Sequence, residues 1–152
     1  MVFSNQDKFF MKTALSLAKV SYSKNEVPVG AVIVKNNEII GEGRNCVISD
    51  KDVTSHAEIN AIRSASRKLE NYRLNGCSMF VTLEPCHMCA KAIVDARLEK
   101  LIFATVEPKT GSICSIDNFF DKKLLNHSVK YKFGLCANDS SKLLKKFFRE
   151  RR

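Results

Sequence analysis

Residues Val29 to Val34 form a short, unbroken apolar run, and no other stretch limits the fold as much. A run of this length reads as a strand buried on both faces. Lys35-Asn36-Asn37-Glu38 behind it is turn chemistry, so Glu38 to Asn45 returns as a second, antiparallel strand. Ser78 to Leu83 and Leu101 to Thr105 supply two more. A fifth is expected where Val129, Tyr131 and Phe133 alternate with polar residues. Helical periodicity fills the gaps. Ser4-Asn5-Gln6-Asp7 is a capped start for a helix to about Tyr22, with Phe10, Ala14, Leu17 and Ala18 recurring on one face. A second helix runs from Ser55 to about Leu69 on a stripe of Ala61, Ile62, Ala65 and Leu69. Pro85 opens a third, which ends near Arg97. The last spans about Asp139 to the end, with Leu143, Leu144, Phe147 and Phe148 on its apolar side and Lys142, Lys145, Lys146, Arg149 and Arg152 opposite. This order implies an α/β protein: a three-layer α/β/α sandwich around a mixed five-stranded sheet.

No linker or repeat breaks the 152 residues, which are expected to form one domain over 1–152. No apolar run approaches the roughly 20 residues of a membrane helix. Asp7, Lys8 and Lys12 interrupt the N-terminus where a signal peptide needs an apolar stretch. A cytoplasmic location and no membrane partner are expected. Charge is unevenly spread. Residues 1–121 carry 15 basic and 14 acidic side chains, whereas 122–152 carry 10 basic and 2 acidic. That imbalance suits either a polyanionic partner gripped by the C-terminal segment or a solvated basic face.

Two short pieces carry the chemistry, Ser55-His56-Ala57-Glu58 and Glu84-Pro85-Cys86-His87-Met88-Cys89, each opening a helix. Cysteines three apart in a first helical turn share a face and reach one metal. The free N–H groups and dipole of that helix end favour their thiolates. With the His56 imidazole the set becomes Cys₂His, three protein ligands, which is the open pattern of a catalytic zinc. Glu58, aimed from the neighbouring first turn, is placed for general acid–base work.

Each piece alone has a plainer reading. Ser55-x-x-Glu58 is also a capping box, His56 also a structural histidine, and Cys86-x-x-Cys89 also a redox pair. Their conjunction, H-x-E followed by P-C-x-x-C with each at a helix start, is a zinc deaminase signature. His87 should point away from the metal because its neighbours point toward it, and His127 reads as structural. Cys46, Cys77, Cys114 and Cys136 read as small apolar fillers.

The chain resembles the bacterial tRNA adenosine deaminases. The likeness rests on 26–32 (Glu-Val-Pro-Val-Gly-Ala-Val), 41–45 (Gly-Glu-Gly-Arg-Asn), His56-Ala57-Glu58-Ile59, Asn71-Tyr72-Arg73-Leu74, Val81-Thr82-Leu83-Glu84-Pro85-Cys86, Lys109-Thr110-Gly111 and Phe147-Phe148-Arg149. It implies a cytidine deaminase-like fold, one Zn²⁺ per subunit, a homodimer, and conversion of adenosine to inosine at the wobble position of a tRNA anticodon. The arginine tRNA is the expected substrate. It also implies that Asn45 holds the target nucleoside, that Asn126 makes another base or ribose contact, and that Glu107 and Lys109 lie in a loop walling the RNA cleft. Phe148 and Arg149 would touch the anticodon loop. The family commonly has an aliphatic residue at His87 and aspartate at Glu107, and no longer C-terminal grip is expected beyond Arg152. Two other readings stand beside this one. The first is a free nucleobase or nucleoside deaminase with the same zinc and glutamate. The second is a non-catalytic zinc-stabilised RNA-binding module, which needs a fourth protein ligand such as His87.

Overall fold

A computed structural model describes residues 1–151; Arg152, assigned from sequence to the basic side of the last helix, lies outside them. Five strands, β1 (Gly30–Lys35), β2 (Glu38–Arg44), β3 (Ser78–Leu83), β4 (Lys100–Thr105) and β5 (Lys130–Phe133), form one mixed sheet in the order β2-β1-β3-β4-β5. β1 is antiparallel to both neighbours, whereas β3, β4 and β5 are mutually parallel. β2 and β3 therefore point the same way and end at the same edge of the sheet, with β1 between them.

The helices are α1 (Asn5–Ser23), α2 (Val47–Asp50), α3 (Ala57–Leu69), α4 (His87–Asp95) and α5 (Ala137–Arg149). Alternate residues of the buried strands face opposite layers, as the pleat requires. Ala31, Ile33, Met79 and Val81 pack with α3 and α4, while Val32, Val34, Phe80 and Ile102 pack with Phe10, Met11 and Ala14 of α1. α1 begins on a capping box in which the Ser4 hydroxyl accepts the Asp7 N–H and the Asp7 carboxylate accepts the Ser4 N–H. Asn36 and Asn37 make the β1–β2 turn with φ of 51° and 62°, the twist that suits a two-residue hairpin. α3 lies directly on β2. A Cβ at Gly43 would stand 2.3 Å from both Ala57 O and Ala61 N.

Several expectations need correction. Pro85 precedes the helix it was expected to begin, because Cys86 is the N-cap and takes extended backbone. α4 ends at Asp95 and α5 starts at Ala137, near the expected limits. α2 has no counterpart in the sequence reading. On α5 the buried residues are Ser140, Leu144 and Phe147. Phe148, expected on the apolar side, is 51% exposed, since the helix docks on a narrower stripe centred one position earlier.

Candidate active site

The parallel ends of β2 and β3 bring the starts of α3 and α4 together. His56 caps α3 and Cys86 caps α4, both with extended backbone that turns their side chains toward the gap between the helices. His56 Nδ1 lies 3.7 Å from Cys86 Sγ and 3.4 Å from Cys89 Sγ. A tetrahedral Cys₂His zinc, with bonds of about 2.0–2.3 Å, requires ligand–ligand edges of about 3.6–3.8 Å. The three donors therefore fit zinc. Among the described residues, no further His, Cys, Asp or Glu completes this group. His87 turns away: its Nε2 pairs with Asp117 Oδ2 at 2.8 Å, and its ring meets Phe119 edge-on. That pairing, with the Lys122 ammonium, holds the Asp117 carboxyl at about 2.

The three donors share protons closely, with Cys86 as the acceptor of the group. The Cys86 thiol is pulled down to about 4, chiefly because Cys89 donates to its sulfur, with further help from His56. Cys89 is pushed up as the donor of that contact and by its burial. Glu58, in the first turn of α3 and 4% exposed, is pushed up to about 7 by burial, against the pull of its own N–H and of His56. A buried carboxyl poised near neutrality exchanges protons readily. The capping-box reading of Ser55 and Glu58 does not hold. The helix cap is His56, and the Ser55 hydroxyl donates to Asp50 at 2.6 Å and accepts from Asn60.

Above the donors opens a cavity of ≈ 460 Å³, lined by His56, Glu58, Cys86, Asn45, Val29 and Phe147 among others. That volume suits a single small organic group. Asn45 is 7% exposed; its Nδ2 donates to Val27 O at 3.1 Å, while its Oδ1 has no partner. Two buried carboxylates shape the walls. Glu26 accepts Ile48 N–H at 3.0 Å, Ser49 N–H at 2.7 Å and the Ser49 hydroxyl at 2.8 Å, which holds α2 against the cavity. Glu84 accepts the N–H groups of Glu107, Ile113, Cys114 and Ser115 and the Ser115 hydroxyl. Burial raises the Glu84 carboxyl, but these donors outweigh it and leave the group below the ordinary range. A Cβ at Gly111 would stand 2.3 Å from the Glu84 carboxyl carbon, so only glycine lets the loop close over it.

The other residues singled out from sequence divide. Asn45 reaches the cavity. Glu107 does not: its carboxyl accepts the Lys109 N–H within its own loop, Lys109 is exposed, and Thr110 is the loop residue on the wall. Phe148 and Arg149, expected at the anticodon loop, are exposed outside the cavity, whereas Phe147 and Arg151 line it. Asn126 stands at the far end of α4, where its carbonyl accepts from Arg97 at 3.0 Å. Glu26, Glu84, Phe147 and Arg151 were assigned no site role from the sequence. The visible signal for Glu84 was an acid set between a buried strand and Pro85.

Residues 4–105 match the family model described as the cytidine and deoxycytidylate deaminase zinc-binding region. The chain is 46% identical over 145 residues to a tRNA-specific adenosine deaminase of Aquifex aeolicus (strain VF5), covering 95% of each. It is 43% identical over 150 residues to the Haemophilus influenzae protein of the same name, covering 98% of this chain and 87% of that one. It also superimposes, with a TM-score of 0.87 at 39% identity, on a structure from studies of A-to-I editing by tRNA:A34 deaminases at the wobble position of transfer RNA. That match covers 90% of this chain and 99% of the other.

Proposed function

Because the chain belongs to the tRNA-specific adenosine deaminases, a zinc-dependent family, we propose that it hydrolyses the wobble adenosine of arginine tRNA to inosine, with His56, Cys86 and Cys89 holding the metal and Glu58 moving the proton. The reaction consumes water and releases ammonia. When bound, zinc supplies a nucleophile of hydroxide strength at neutral pH. Glu58 carries a proton first to the adenine ring nitrogen and then to the departing amine, a task suited to a buried carboxyl near neutrality. The free Asn45 Oδ1 accepts a hydrogen bond from the nucleoside, and the Phe147 ring offers it an apolar wall.

The observation that carries this reading is the open three-donor group beside a buried acid, at the floor of a cavity sized for one base. A base stacked in a duplex cannot reach such a floor, whereas a loop nucleotide splays out at little unpairing cost. The finer parts of the proposal are arginine as the tRNA, a homodimer that completes the RNA cleft, and a cytoplasmic site of action. No described helix is long and apolar enough to cross a membrane. A zinc-stabilised module without catalysis needs a fourth ligand, and His87 is engaged by Asp117.

Incubating the zinc-loaded protein with arginine tRNA, and sequencing for inosine at the wobble base, tests the proposal against free adenosine, cytosine and guanine as substrates. Turnover of tRNA alone supports it. Turnover confined to the free bases or nucleosides assigns the site to the small-molecule class instead.

A further inference from the structure

On the sheet face covered by α1 and α5 lies a second concavity, a groove of ≈ 500 Å³ lined by Lys12, Ser16 and Lys19 of α1 and by Asp139, Lys142 and Lys146 of α5. Its origin is helical spacing. Residues 12, 16 and 19 recur on one side of α1, and 139, 142 and 146 on one side of α5. The helices lie side by side and run the same way. Asp139 shares the groove with Lys12 near one end, while Tyr22 bonds Glu150, and Arg151 donates to Asn25 at 2.9 Å, at the other. Leu15, 6% exposed, and the half-buried Leu143 form part of the lining.

Four lysines thus line one channel with a single acidic residue among them, and all four are exposed. None forms an ion pair among the described residues. The whole-chain excess, 25 basic against 16 acidic side chains, leaves little to neutralise them. Two parallel rows of unpaired cations repel each other unless a polyanion lies between them. The groove also runs toward the catalytic cavity. Lys146 Nζ stands 5.4 Å from the centre of the Tyr22 ring, and that ring is 6.0 Å from Phe147, which lines the cavity. From Lys12 to Lys19 the row spans about 10 Å at the helical rise per residue.

We propose that this groove is a second RNA contact, which takes the phosphate backbone of the substrate's stem while a loop base enters the cavity. The proposal rests on the tRNA reading above. It extends the RNA footprint from α5 onto α1, whose Lys12 and Lys19 have no part in the zinc site. Stem contacts of this kind carry affinity and register without reading sequence.

The test compares wild type, K12Q/K19Q and K12R/K19R by fluorescence anisotropy, with two labelled RNAs: intact arginine tRNA and the anticodon loop without its stem. For intact tRNA at about 0.1 M salt, K12Q/K19Q should raise Kd about 5- to 10-fold. The slope of log Kd against log salt should fall by about 1.5, the share of two released counterions. K12R/K19R should restore both. The stemless loop should bind all three proteins within about twofold. Unchanged tRNA affinity in K12Q/K19Q, or an equal loss on the stemless loop, overturns the groove. Inosine formation by wild type is scored separately and decides the activity, so the two readings stand or fall on different data.

Discussion

The Glu84 carboxylate accepts the Ile113 N–H at 3.0 Å, tying the residue before Pro85 to a loop 29 positions downstream. Three more backbone donors and a hydroxyl converge on the same carboxylate. Glu84 thereby fixes the loop whose Thr110 walls the cavity. Glu84→Gln should cost about 1–3 kcal/mol near neutral pH, since bonds to a charged acceptor are lost. Its folded pKa lies below the ordinary 4.5 of a glutamate, so the charge stabilises the fold above that value and stops doing so as pH falls through the lowered one. Urea denaturation of both proteins should give a gap that narrows below pH 4.5. A gap constant from pH 7 to pH 3 would count against this role.

Gly43 lets α3 settle onto β2, and the backbone of Ala57 and Ala61 fills the space where a side chain would stand. Gly43→Ala should displace the turn that carries Glu58. We expect a loss of about 1–3 kcal/mol from overpacking and a fall in kcat of about tenfold or more, because small misplacements of reacting groups are costly. Gly76→Ala is the control. Gly76 has φ of +75° near the start of β3, away from the metal donors. That variant should lose stability through backbone strain, by about 1 kcal/mol, and keep kcat. Thermal melts and steady-state rates separate the two.

Glu58 lies beside the donors without belonging to their group. Glu58→Gln should therefore retain about one zinc per chain by elemental analysis and lose about 10³-fold or more in turnover, the range of a missing general acid–base. Near-native rates with zinc bound would remove Glu58 from the chemistry.

The metal donors join segments 30 and 33 residues apart, so zinc binds the folded chain far better than the unfolded one. Zinc at about a thousand times its Kd should add about 4 kcal/mol. For a chain of this length that corresponds to a melting temperature about 10 °C higher. Differential scanning calorimetry before and after chelation measures the shift, and an unchanged midpoint would mean that the donors do not hold the ion.

The metal group was legible in the sequence because its geometry is local. Cys86 and Cys89 stand three apart at one helix start, a spacing that shares a face, and His56 and Glu58 stand at the start of another, where the cap residue and the first turn aim at one point. The strands were legible for a similar reason, since continuous apolar runs mark those covered on both faces. What escaped depends on contacts between distant segments. α2 is only four residues long and owes its place to Glu26, 22 positions before Ile48. Phe147 and Phe148 are chemically alike, and only the docking angle of α5 selects the former for the cavity. Asn126 was picked out by a family pattern, and the contact of its carbonyl with Arg97, 29 positions away, is of the same long-range kind.

The Asn36–Asn37 turn stands at the other end of the β1–β2 hairpin from the catalytic edge, across a six-residue strand of about 20 Å. Exposed turn tips of this kind are where insertions are best tolerated. A dye or an affinity peptide grafted there would hang from the back of the molecule. The enzyme could then be tethered to a surface with its working mouth facing the solution.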